Sequence, residues 1–201
     1  MWMKQSKKQP EKSRQAILEA AGAEFCRHGY SGSGLGSIVM GSGLTKGALF
    51  HHFPDKRTLA SAWIGEHLAG AIRTVWIEPL EAVGSLDGLR ALYRACCMAL
   101  QPGDASSALV SLAAETAAGD VVLGAALKMV FADWLAAIAA VLERGKADGW
   151  IHRSIQPAVE ASFLVSAFSG FTVTTKCSPD ESTRRTCATA VEAYLETLRA
   201  Q

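Results

Sequence analysis

Ser33-Gly-Leu-Gly-Ser-Ile-Val-Met-Gly-Ser-Gly-Leu-Thr-Lys-Gly-Ala-Leu-Phe-His-His-Phe-Pro-Asp-Lys56 reads as two short helices around a glycine turn. Leu35, Ile38 and Val39 repeat at helical spacing. Gly43 stands where a tight inter-helix turn requires positive φ, and Leu44 returns the chain to a core. Thr45 is placed to cap the second helix, with Lys46 and Gly47 in its first turn. Ala48, Leu49, Phe50, His51, His52 and Phe53 carry that helix on until Pro54 stops it. A helix opening in this way can aim its N-terminal residues at base edges and phosphates, as a helix-turn-helix does in the major groove.

Working outward, a first helix is predicted from about Glu11 to His28, with Ile17, Leu18, Ala21 and Phe25 on one face and Gly29 at its end. Lys4, Lys7, Lys8, Lys12 and Arg14 form a basic arm ahead of or at the start of it, suited to phosphates or a minor groove. Downstream, a fourth helix is expected from Asp55 to about Glu78, before Pro79, and Ser85 caps a fifth. Ser106 to Ala118 forms a small-residue helix. Leu123, Leu127, Val130, Phe131, Trp134, Leu135, Ile138, Val141 and Leu142 then follow helical spacing over about five turns until Asp148-Gly149. Pro157 opens the next helix, through Lys176. Ser178-Pro179-Asp180-Glu181 reads as a capping box with Pro at the first helical position, starting a last helix to about Arg199. No strand-length alternation occurs. The expected fold is all-α, about nine helices, with an N-terminal arm and helix-turn-helix domain over 1–54 and a second helical domain over 55–201.

The formal net charge of +1 conceals an asymmetry. Residues 1–57 hold nine Lys/Arg and four Asp/Glu, a net of +5; residues 58–201 hold eleven against fifteen, a net of −4. That suits a DNA-binding head on a mildly acidic body. No apolar run approaches the roughly 20 residues that cross a membrane, and the basic N-terminus has no apolar signal core. A cytoplasmic protein without a membrane partner is the expectation. The five cysteines, Cys26, Cys96, Cys97, Cys177 and Cys187, show no zinc spacing and imply no disulfide framework.

Gly29-Tyr30, Ser37-Ile38, the run from Gly43 to Phe53, and Lys56 resemble the N-terminal domain of the TetR/AcrR family of bacterial transcriptional regulators, densely over roughly residues 12 to 60. The resemblance implies a double-stranded, pseudo-palindromic DNA operator. Thr45, Ala48 and His51 fall at base-proximal positions, and Ala48 suits a thymine methyl. Lys46 would reach a phosphate or a guanine edge, while Gly47 would let the backbone approach. His52 and Lys56 look like phosphate contacts, and Ser33, Leu35 and Phe50 complete the expected DNA-facing set. Phe50 stands where the family usually has Tyr, which removes a hydroxyl contact. Gly36 stands where arginine is common. Gly34, Gly36 and Gly41 should weaken helix 2, at roughly 1 kcal/mol per interior glycine, so that it firms up on DNA.

For the body, the resemblance implies a small-molecule effector and a twofold homodimer that sets two heads about one helical turn apart, roughly 34–36 Å. Trp63, His67, Ile72, Trp76, Tyr93, Cys97, Phe131, Trp134 and Ile138 are the expected lining of an aromatic cavity, with Trp76 and Trp134 foremost. Phe163, Ala167, Phe168, Gly170 and Phe171, with Ala190, Val191 and Tyr194, are the expected dimer face. Ser106 to Glu115 resembles a segment of one family branch in which Gly-Cys often opens the run and some members sense electrophiles. Ser107 stands there here, so that chemistry is not carried over.

An enzyme is disfavoured. Neither G-x-G-x-x-G nor G-x-x-x-x-G-K-[ST] is satisfied, and no G-x-S-x-G or H-E-x-x-H occurs. His51 and His52 are adjacent, so their side chains diverge on a helix and make a poor metal pair. No cofactor or metal is implied. The expected function is a dimeric repressor released from its operator by a small apolar or aromatic effector. The alternative is an activator, or a DNA-binding regulator controlled by a partner protein.

Overall fold

The computed structural model describes residues 8–200, so Lys4 and Lys7 of the expected basic arm lie outside the described residues. Among the described residues the chain is all-α. The helices are α1 (Lys8–Gly32), α2 (Leu35–Ser42), α3 (Lys46–His52), α4 (56–81), α5 (Leu86–Ala99), α6 (Ala105–Thr116), α7 (Val121–Asp148), α8 (Pro157–Cys177) and α9 (Glu181–Glu196). The extended pairing described is a single antiparallel bridge, Ile151 to Arg199, that holds the end of the chain. Two compact units result. One comprises residues up to Gly70 together with Ser111–Leu127, the other Ala71–Val110 and everything from Lys128 on.

The first unit is built on the apolar face of α1. Ile17, Leu18, Ala21 and Phe25 are buried with Ile38 of α2, Leu49 and Phe53 of and after α3, and Leu59, Ala60 and Trp63 of α4. Each fully buried side chain of this size stabilises the fold by roughly 1.5–3 kcal/mol. The Phe25 and Trp63 rings sit 5.6 Å apart. Lys12 and Arg14, expected in an arm, lie within α1. The Arg14 guanidinium grips Glu66 with both nitrogens, at 2.6 and 2.5 Å, and lies 5.4 Å over the Phe53 ring. That hydrogen bonding holds the Glu66 carboxyl below its usual range.

In α1 the backbone breaks at Gly29, with φ 70° and ψ −178°, a conformation open almost only to glycine, and helical geometry resumes as far as Gly32. The break lies close to the end of α1, where the Tyr30 and Ser33 carbonyls take donors from side chains. It also leaves the Ser31 N–H without an intrahelical partner until Glu115, at the end of α6, accepts it at 2.9 Å.

α4 is not uniformly α-helical. Two π turns, Ile64–Leu68 and Arg73–Ile77, alternate with α segments, so the Ala69 N–H reaches back to the Ile64 carbonyl and the Glu78 N–H to the Arg73 carbonyl. The buried residues explain the need. Ile64, Leu68, Ile72, Trp76 and Leu80 recur every fourth residue. At 3.6 residues per turn such a row drifts about 40° per step and would be carried to the opposite face over four steps. The wider turns unwind the drift. The helix consequently runs on through Pro79, which sits in its last α turn, rather than ending before it.

In the second unit, Trp76 of α4, Tyr93 of α5, Trp134 of α7 and Phe168 of α8 form a continuous buried aromatic cluster, with Trp76 at 5.0, 4.9 and 4.6 Å from the other three rings respectively. α5 packs along α9, and α8 against α9. Ser85 caps α5 as expected, accepting from the Gly88 N–H. The cap of α9 is Asp180, not Ser178. Ser178 already closes α8, while the Asp180 carboxylate accepts the Thr183 N–H at 2.8 Å. α7 and α8 do contain stretches long and apolar enough to cross a membrane, contrary to the sequence reading. In α7 part of that apolar content is the stripe Leu123, Leu127, Val130, Trp134, Ile138 and Val141, which is buried in protein, while Val121, Val122 and Met129 are exposed.

Candidate nucleic-acid interface

α2 and α3 meet at Gly43, whose φ of 66° closes the turn and sends its N–H to the Met40 carbonyl. The Thr45 hydroxyl accepts the Ala48 N–H at 3.2 Å and fixes the start of α3. Leu49 and Phe53 are buried, and this pins the opposite face outward. On that face Thr45, Lys46, Gly47, Phe50 and His51 are exposed and Ala48 and His52 half-buried. Lys46 lies 5.8 Å over the Phe50 ring, and His51 and His52 meet edge to face at 5.2 Å. Six of the expected residues therefore present one polar, cationic strip with an aromatic ring in it, able to approach phosphates and base edges. Ala48 brings a methyl to the same strip.

Two expected residues are occupied elsewhere. Lys56 donates to the Tyr30 carbonyl at 2.8 Å and the Ser33 carbonyl at 2.9 Å, and its ammonium lies 4.5 Å over the Tyr30 ring. It ties the break after Gly29 to the start of α4. Ser33 is buried, with its hydroxyl on the Tyr30 carbonyl at 2.8 Å. Leu35 is half-buried in the first turn of α2. Met40, absent from the expected set, is 80% exposed on α2. The signal was available, since Ile38 faces in and two residues on points away. Gly34 proves to be the N-cap of α2 and not an interior position, so only Gly36 and Gly41 weaken that helix.

Behind this strip, the Arg57 guanidinium pairs with Asp120 at 2.9 Å, while the other Asp120 carboxylate oxygen caps α7 through the Val122 and Leu123 N–H groups at 3.0 and 3.1 Å. The loop that joins α6 to α7 is thus fastened to the first unit by Asp120 and Glu115 together.

Of the residues expected around an effector, Ile72, Trp76, Tyr93, Cys97, Trp134 and Ile138 are buried together in the second unit. Phe131 is half-buried and stacks near Trp134 at 6.4 Å. Trp63 and His67 belong to the first unit, where Trp63 packs on Phe25. The cluster has an unusual property. Trp76 Nε1, Tyr93 Oη and Trp134 Nε1 are buried with no hydrogen-bond partner among the described residues. A cavity of about 310 Å³ opens beside it, lined by Val75, Leu92, Cys96, Leu100, Ser106 and Phe168 among others. These liners were not in the expected set. Burial pushes the Cys96 and Cys97 thiols up to about 12 and raises the Tyr93 phenol well above its ordinary value.

The expected dimer face divides in two. Phe168 and Val191 are buried within the chain's own core. Phe163 is 48% exposed, Gly170 and Ala190 are exposed, and Ala167, Phe171 and Tyr194 are half-buried. Val159 and Val173 extend the exposed apolar row along α8. The Phe163 ring packs tilted against Tyr194, their centroids 4.2 Å apart, and the Tyr194 hydroxyl donates to Glu160.

Comparison with known proteins places this geometry. Residues 17–63 match the family described as bacterial regulatory proteins, tetR family. The A-factor receptor protein of Streptomyces griseus is 29% identical over 77% of this chain, a match that spans about half, 52%, of that receptor's length. The HTH-type transcriptional repressor DhaR of a Mycobacterium species is 24% identical over 78% of this chain and 79% of its own. A TetR transcriptional regulator from Chloroflexus aurantiacus superposes with a TM-score of 0.84 at 20% identity, covering 96% of this chain and all of that one.

Proposed function

We propose that this chain, whose N-terminal residues match the TetR family, is a DNA-binding transcriptional regulator, a dimeric repressor released from a pseudo-palindromic operator by a small apolar or aromatic effector. The observation that carries the reading is the outward strip of α3, where Thr45, Lys46, Gly47, Ala48, Phe50, His51 and His52 face away from a core that Leu49 and Phe53 close. Lys46 and His52 take phosphates, Thr45, Ala48 and His51 meet base edges, and Met40 and Leu35 add apolar contact from α2. Ser33 and Lys56 support the strip from behind, through the carbonyls of Tyr30 and Ser33.

The functional division falls at residues 1–54 for DNA reading and 55–201 for effector binding and dimerisation. The exposed row Val159, Phe163, Gly170 and Val173 supports a twofold helix pairing, with glycine allowing close approach. An effector bound by the second unit acts through α4, α6 and α7, each of which contributes residues to both units. Release is then a difference in effector affinity between two conformations, and it is reciprocal with DNA. The working compartment is the cytoplasm, where the operator is.

The test is binding to the duplex immediately upstream of this protein's own gene beside random duplex of equal length, across a salt series. Preference for the upstream duplex that survives added salt supports a sequence-specific regulator. Equal, steeply salt-dependent binding to both, or none at low salt, overturns it.

A further inference from the structure

Buried polar groups are nearly always paired, because one that is not gives up its hydration for nothing in return. Three such groups in one ring cluster are therefore a feature to be explained. Trp76 Nε1, Tyr93 Oη and Trp134 Nε1 lie on rings 4.9 to 5.0 Å apart. An indole N–H can only donate, and burial keeps the Tyr93 phenol protonated, so the cluster offers three donors against a single acceptor, the Tyr93 oxygen. Phe168 joins the cluster to the neighbouring cavity. Its ring is 4.6 Å from Trp76 and 5.9 Å from Trp134, and it lines the cavity of about 310 Å³. Val75 adjoins Trp76 in sequence, and Leu92 adjoins Tyr93, so two helices carry a cavity liner beside a donor.

The lining also defines charge. It contains no lysine, arginine or histidine, and its one carboxylate, Asp104, already caps α6 through the Ser107 N–H and accepts the Gln101 N–H of the preceding loop. An anion entering such a wall loses its hydration without a cationic partner. A cation gives the unpaired donors nothing to bind.

We propose that the second unit binds an uncharged, flat ring compound carrying carbonyl or ether oxygens, its apolar body in the cavity and its oxygens accepting from Tyr93, Trp76 and Trp134 once the Phe168 ring turns aside. The proposal rests on the effector reading above and gives that effector its chemistry. Tyr93 and the two indoles select by hydrogen bonding, while Val75, Leu92 and Leu100 select by shape.

Equilibrium dialysis of the full chain without DNA tests this with four probes: 1-tetralone, tetralin, 1-naphthoate and phenyltrimethylammonium. The expected result is one 1-tetralone site per chain, at least about tenfold tighter than tetralin and tighter than either ion. Tyr93→Phe should cut the 1-tetralone preference to within about threefold, leave tetralin binding unchanged, and hold or raise the melting temperature, because the lost hydroxyl had no partner. Trp134→Phe should lower the same preference. Equal binding of 1-tetralone and tetralin, tighter binding of either ion, or no binding of any probe overturns the proposal. So does a Tyr93→Phe chain that melts several degrees lower with its preference intact, the mark of a purely structural hydroxyl. A chain that binds 1-tetralone yet keeps the same operator affinity sinks the release reading and leaves this one standing.

Discussion

Glu115 accepts the backbone N–H of Ser31 at 2.9 Å across 84 residues of chain, and its carboxylate fills the space that a side chain on Gly29 would need. A Cβ at Gly29 would lie 2.1 Å from Glu115 Oε1. The glycine and the glutamate are therefore one device, a break in α1 and the group that satisfies it.

Gly29→Ala should lower unfolding stability by about 1–3 kcal/mol, from a backbone conformation closed to alanine and from displacement of Glu115. Urea titration measures it. Glu115→Ala made in the same chain should cost less than its separate cost, by about 0.5 kcal/mol or more, because the two changes share one contact. Strict additivity would show that the carboxylate moves aside freely.

Lys46 and Lys56 should respond oppositely to removal. Lys46→Ala is expected to leave thermal stability alone, weaken binding to all duplexes alike, and reduce the salt slope by about one counterion. Lys56→Met leaves the Ser33 carbonyl without its donor and the Tyr30 carbonyl with the Ser33 hydroxyl alone, and should cost about 1–3 kcal/mol of stability. A Lys56→Met chain as stable as the parent would remove the structural role assigned to that lysine.

Gly36 is an exposed position in the first turn of α2 where an added Cβ meets nothing within 4 Å. Gly36→Ala should therefore stabilise the chain by about 0.5–1 kcal/mol. Without DNA, amide exchange in α2 of the parent should be faster than in α1, and the substitution should narrow that gap. Parent α2 amides as slow as those of α1 would contradict the assignment of α2 as the weak helix.

Thiol chemistry should separate Cys177 from Cys96 and Cys97. At pH 8 an aromatic disulfide reagent is expected to modify exposed Cys177 in the folded chain while sparing Cys96 and Cys97, whose thiols burial pushes up to about 12. The sign of the pH effect follows. Between the ordinary thiol value near 9 and about 12, the folded chain retains protons that the unfolded chain has lost, so stability present below pH 9 falls as pH rises toward 12. Cys96→Ala should flatten that alkaline decline. A decline of unchanged slope would assign it to other groups.

The all-α fold and the turn at Gly43 could be read from residues because their signals are local: a glycine at positive φ, Thr45 three residues from the N–H it caps, Leu49 and Phe53 one turn apart. Lys56 could not be read that way. The carbonyls it serves are 23 and 26 residues away, at the end of α1 and just beyond it, and a helix end does not reveal in sequence which distant side chain will serve it. Phe168 was misassigned to the dimer face since α8 is apolar on both sides, and only the neighbouring Trp76 and Trp134 show which side is core. For α9 the expected cap, Ser178, is taken by the end of α8, and Asp180 two residues on caps the helix in its place. The fourfold spacing of Ile64, Leu68, Ile72, Trp76 and Leu80 was present in the sequence, though it conveys a widened helix only to a reader who asks how far 3.6 residues per turn lets such a row drift.

Those two widened turns also decide where α4 can change length over evolutionary time. A π turn holds one residue more than the α turn it replaces, so a deletion within Ile64–Leu68 or Arg73–Ile77 can be absorbed where it falls, by reversion to ordinary α geometry. A deletion within Lys56–Trp63 meets no such slack and turns every later side chain of the helix by about 100°. The helix thus carries two sites at which its reading frame against the core can be edited, and a first segment at which it cannot.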